Sequence, residues 1–130
     1  MVIGGRMGEK MNKELSAACP MPREDLPNVL PLEGEIDLHV SPIITASLKM
    51  MIEKKPPRLI VDLARVSYID SSGLAVLIEG MRNVEEYGGK FALAGLQEPV
   101  RTVFEIARLD QVFQIFPDVN AALAPSGKGK

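Results

Sequence analysis

The apolar positions of this chain fall into short extended runs separated by longer stretches of helical period. Asn28-Val29-Leu30-Pro31-Leu32-Glu33-Gly34 predicts a strand, and Pro31, which has no N–H to donate, marks a bulge or an exposed edge. Glu35-Ile36-Asp37-Leu38 then reads as a turn. Ser41-Pro42 has the order of an N-cap followed by a first helical residue, predicting a helix from Pro42 to about Lys54. Ile44, Leu48, Met51 and Ile52 give that helix one face to bury, and Pro56-Pro57 stops it. Arg58 to Leu63 is rich in branched aliphatics, the profile of a central strand buried on both faces, and Val66 to Ile69 continues as a shorter extended stretch.

After Asp70, the spacing of Leu74, Leu77, Ile78, Met81 and Val84 predicts a helix from about Ser72 to Glu86, ended by Gly88-Gly89. Lys90 to Ala94 is the next strand. Glu98 to Leu109 is the next helix, with Val100, Val103, Phe104 and Ala107 inward, and Phe113 to Phe116 is the last strand. Pro117-Asp118 opens a short final helix through Ala124. Strands alternating with helices imply parallel pairing through crossovers. The expected fold is a single α/β domain, a mixed and mainly parallel sheet of four to five strands with about four helices.

The flanks read differently. Residues 1–25 mix glycine, proline and scattered charge without a sustained period, which predicts a poorly ordered leader, with Ala17 to Met21 able to add an edge strand. The domain is expected over residues 26–124, and residues 125–130 read as a flexible tail.

Composition narrows the function. Among 130 residues, 46% hydrophobic and 25% charged describe an ordinary globular domain, and a net charge of -2 supplies no field to gather nucleic acid or an anionic membrane. The one cysteine, Cys19, and the one histidine, His39, cannot build a zinc site or an intrachain disulfide. No apolar run approaches the roughly 20 residues of a membrane span, and no secretory signal is apparent, so the cytoplasm is the expected compartment.

Asp70-Ser71-Ser72-Gly73 carries the candidate chemistry. It lies where a buried strand hands over to an amphipathic helix, so unsatisfied N–H groups and the helix dipole favour an anion there. Two readings stay open on physics alone: Asp70 and Ser71 cap the helix, or a serine of this turn accepts phosphate, adding about -1.5 to -2 charges. A hydrolase is excluded by inventory, since there is no Gly-x-Ser-x-Gly elbow and His39 has no orienting partner. Walker-type and Gly-x-Gly-x-x-Gly phosphate loops are also missing. No catalytic residue, cofactor or metal is expected.

Gly34-Glu35-Ile36-Asp37, Leu59-Ile60-Val61-Asp62-Leu63, Tyr68-Ile69-Asp70-Ser71-Ser72-Gly73-Leu74, Gly88-Gly89 and Val103-Phe104 fall in an order that resembles the STAS domain family of anti-sigma factor antagonists. The likeness runs from about Val29 to Phe116. The chain departs from the pattern in its proline-bearing leader and in Ala75, where a glycine is common. The resemblance implies a protein-binding switch rather than an enzyme. By it, Ser71 is phosphorylated by an anti-sigma factor serine kinase, the unphosphorylated form binds that kinase and frees a sigma factor, and a serine phosphatase restores the cycle. It also implies partner-binding roles for Asp37, with Glu35, Asp70, Ser72 and Gly73 beside it, in a monomer or weak dimer. The alternative within the same fold is a non-switching subunit of a stress-signalling scaffold or a lipid-transport complex.

Overall fold

A computed structural model describes residues 20–22 and 25–124. The elements run β1 (Val29–Ile36), α1 (Ser41–Glu53), β2 (Arg58–Ile69), α2 (Ser71–Glu86), β3 (Lys90–Ala94), α3 (Glu98–Ile106), β4 (Gln114–Phe116) and α4 (Val119–Leu123). The four strands form one sheet in the order β1-β2-β3-β4, and every pairing is parallel. The antiparallel component expected of a mixed sheet does not occur among these four strands. Residues 1–19, 23 and 24 of the leader and residues 125–130 of the tail lie outside the described residues, and with them Cys19 and most of the Ala17 to Met21 segment; Pro20 and Met21 are irregular.

The sheet has two unequal faces. Leu59, Val61 and Leu63 of β2 and Phe91 and Leu93 of β3 point into the larger core with residues from α1, α2 and α3. Ile60, Ala92 and Ala94 point the other way, where Ala122 of α4 and Val29 complete a thin second core. The small side chains on that face suit a helix of a single turn and a half. Arg58 ties α4 down by donating to the carbonyl of Ala122 at 2.7 Å, a cation at the end of the helix where carbonyls lack partners.

β2 is one continuous strand of 12 residues, where the apolar pattern suggested two pieces. The reason is its register with β1, which shifts between Pro31 and Glu33 and again between Gly34 and Glu35. Each shift places an extra residue on β2, so its buried side chains leave period two and fall at Leu63, Val66 and Ile69. Gly34 sits at the second irregularity with φ of +83°, a conformation that strains any residue with a Cβ. An irregularity does fall beside Pro31, but the extra residue lies on β2 and not on the proline's own strand. The expected turn at Glu35-Ile36 does not form, since β1 extends through Ile36.

Helix α3 stops at Ile106, three residues before the expected end. Arg108 takes φ of +64° and Leu109 N–H bonds the Phe104 carbonyl at 2.8 Å, a Schellman closure made without glycine. Ala107, expected inward, is exposed as a result. Phe104 is fully buried and meets Phe113 edge to face, with ring centroids 5.7 Å apart. Phe104→Ala should cost about 3–5 kcal/mol in urea unfolding. Ile106→Ala, two residues on but 77% exposed, should stay within about 0.5 kcal/mol.

Candidate functional site

In a parallel sheet the loops that follow the strands gather at one edge, where sites commonly form. Here the last register pair of β1 and β2 is Ile36 with Ile69, so the residues that follow, Asp37 and Asp70, leave the sheet side by side. The Asp70 N–H donates to the Ile36 carbonyl at 3.1 Å and extends the ladder into the turn. Counted on from the Val29 and Ile60 pair without the two shifts, Ile36 would face Ser67 instead, and the two aspartates would be out of line.

Asp70 is the N-cap of the 16-residue helix α2. Its Oδ1 accepts from the Ser72 N–H at 2.9 Å, the Gly73 N–H at 3.2 Å and the Ser72 hydroxyl at 2.6 Å. The Ser72 hydroxyl is the main reason that the Asp70 carboxyl titrates below the ordinary aspartate value; partial desolvation opposes it, and the two backbone bonds add to it. The capping role expected of Asp70 and Ser71 together belongs to Asp70 alone. Ser71 is the first helical residue, and its exposed side chain makes no hydrogen bond among the described residues.

Asp37 caps its own loop, with Oδ1 accepting from the His39 N–H at 3.0 Å and the Val40 N–H at 3.4 Å. His39 is almost wholly exposed, and its ring stands 3.9 Å from the same oxygen, so this pair contributes little. Glu35 is exposed on β1, in register with Tyr68. Leu38, 71% exposed in the same turn, adds an apolar side chain to this rim that the sequence reading did not single out.

Ser41 departs from expectation. It is the first residue of α1 rather than its N-cap; Val40 holds that position without a side-chain bond. The Ser41 hydroxyl is buried and lies 2.9 Å from the Asp37 carbonyl and 3.0 Å from the Ser72 hydroxyl. The Ser41 side chain links the Asp37 loop to the start of α2. Nothing in the linear pattern pointed to this, because the partners are 31 residues apart.

Gly73 explains how the loops come so close. A Cβ there would stand 2.7 Å from both Ile36 Cγ2 and Ile69 Cγ1, so the first turn of α2 rests directly on the paired ends of β1 and β2. Among the described residues no cluster of three or more histidine, cysteine, aspartate or glutamate side chains is arranged to hold a metal ion. None of their helices is long and apolar enough to cross a membrane.

Gly73→Ala should destabilise the fold, since overpacking of about 1–3 kcal/mol exceeds the gain of up to about 1 kcal/mol in helix propensity. Urea unfolding measures the difference. Asp70 supplies a pH-dependent prediction. A carboxyl that titrates lower in the folded chain than in the unfolded one contributes stability that is complete above the ordinary aspartate range and is lost as the pH falls through the lowered value. Asp70→Asn should therefore be less stable than the wild type near neutrality, and the gap should narrow on acidification in urea titrations at stepped pH.

Residues 20–122 match the family model described as the STAS domain. An anti-sigma-B factor antagonist of Listeria monocytogenes is 32% identical over 82 residues, covering 63% of this chain and 72% of the relative. The anti-sigma-B factor antagonist of Bacillus subtilis is 32% identical over 84 residues, covering 65% of this chain and 76% of the relative. Among solved structures, the anti-sigma factor antagonist SpoIIAA in its unphosphorylated form superposes with a TM-score of 0.63 at 28% identity, covering 72% of this chain and 83% of that one. With a parallel sheet of this topology, and with these relatives, the chain belongs to the STAS domain family of anti-sigma factor antagonists.

Proposed function

We propose that this protein is a phosphorylation-controlled anti-sigma factor antagonist whose switch is Ser71. In this reading the unphosphorylated protein binds an anti-sigma factor serine kinase and so releases a sigma factor. Phosphorylation of Ser71 ends the complex, and a serine phosphatase reverses it. The chain is the substrate of that chemistry and supplies no catalytic group. The observation that carries the reading is the Ser71 side chain, exposed and unbonded at the first position of a long helix while its neighbours are tied down.

The electrostatics support it. The N–H groups and dipole of α2 tolerate a dianion at Ser71, so phosphate can form there without unfolding the helix. The same dianion would join Asp70, Asp37 and Glu35 on one edge and raise the negative charge that any partner docked there must meet. Asp37 and Glu35, with Ser71, form the accessible part of the proposed partner face. Asp70, Ser72 and Gly73 hold it in shape.

Incubation with an anti-sigma factor serine kinase from the same genome and ATP should add one phosphate, mapped by mass spectrometry to Ser71. Ser71→Ala should bind the kinase and take no phosphate there. Ser71→Asp should bind at least roughly tenfold more weakly, a change of about 1.4 kcal/mol. Equal affinities for the two variants, or an unmodified Ser71, would sink the reading.

A further inference from the structure

The donors and acceptors around Ser72 favour one arrangement. The Asp70 carboxylate only accepts, so across 2.6 Å the Ser72 hydroxyl must donate its single proton to it. The Ser72 oxygen then has only lone pairs to offer Ser41, 3.0 Å away. The Ser41 hydroxyl also has one proton and two acceptors within reach, the Ser72 oxygen and the Asp37 carbonyl. That carbonyl already receives the Val40 and Ser41 N–H groups at 3.2 and 3.0 Å. A Ser41 proton turned toward Asp37 would leave two hydroxyl oxygens facing each other lone pair to lone pair. The proton order is therefore Ser41 to Ser72 to Asp70, a chain in which each bond polarises the next.

We propose that Ser41 is a positioning residue of this site, its buried hydroxyl holding Ser72 in the donor role to Asp70 and so leaving Ser71 as the hydroxyl open to phosphate. Ser71 and Ser72 are adjacent and chemically identical, and both stand in the first turn of α2. What separates them is commitment. Phosphate on Ser72 would replace the proton that its hydroxyl donates to Asp70 and would set a dianion against that carboxylate; Ser71 has no side-chain bond to lose. Removing the Ser41 donor releases Ser72 to rotate and erodes the distinction. The phosphate part of this inference rests on the reading of Ser71 as the switch; the hydrogen-bond part does not.

Two measurements test it. The first is the Asp70 carboxyl titration by NMR in the wild type, Ser41→Ala, Ser72→Ala and the double variant. Ser41→Ala should move the titration up toward the ordinary aspartate value, and should add nothing once Ser72 is alanine. The second maps phosphate after kinase treatment: Ser71 alone in the wild type and in the hydroxyl-retaining Ser41→Thr, and both serines in Ser41→Ala. If Ser41→Ala does not fold by circular dichroism, Ser41→Cys, a much weaker donor of similar size, takes its place. An Asp70 titration unmoved by the loss of Ser41, or moved equally when Ser72 is already alanine, overturns the proposal. So does phosphate confined to Ser71 in Ser41→Ala. If the kinase leaves the wild type unmodified, the proposed function falls by itself, and the titration cycle still decides the role of Ser41.

Discussion

The site depends on the alignment of two strand ends. Ile36 and Ile69 are paired in a parallel ladder, and the next bond, from the Asp70 N–H to the Ile36 carbonyl, carries that pairing one residue beyond the sheet. Because both strands run the same way, both loops emerge at the same edge, and the aspartate after each isoleucine stands beside the other. Antiparallel pairing would send the two loops to opposite ends. The two register shifts in β1 and β2 are what bring this pair into line, so the irregularity of the strands is part of how the site is made.

Packing and polar bonding then divide the work. The apolar contact of Gly73 with Ile36 and Ile69 sets how near α2 comes to the sheet, and the hydroxyls of Ser41 and Ser72 use the proximity. Without the glycine, the helix start would stand further out and Ser72 would move away from Ser41. Asp70 serves three donors on one oxygen, which keeps it ionised and fixes the first turn of α2. Ser71 is spared from this network, and a rigid frame around one unbonded hydroxyl is a sound basis for a modification site.

The rest of the fold backs this edge. β2 is central, with Leu59, Ile60, Val61 and Leu63 wholly buried, so its far end is held firmly while its turn stays accessible. The aromatic group of Phe91, Phe104 and Phe113 lies in the same main core and anchors α3 there.

The sequence by itself determined the order of strands and helices, the burial of β2, the helix faces of α1 and α2, and the turn at Asp70 to Gly73. These follow from local causes: period, proline and glycine stops, and cap chemistry. Where a tertiary cause intervened, the linear pattern misled. Leu63, Val66 and Ile69 look like two segments because bulges opposite β1 break their alternation. The end of α3 was invisible because Arg108, not a glycine, takes the left-handed position, and the packing of Leu109 on the core accompanies it. Ser41 read as a cap because its sequence neighbours fit one, while its hydroxyl in fact lies against the Asp37 carbonyl and reaches across to a residue on another helix. Residue types and their order specify that an aspartate and two serines open α2. Only the folded chain, by bonding Ser72 to Asp70 and bringing Ser41 to it, makes those two serines different.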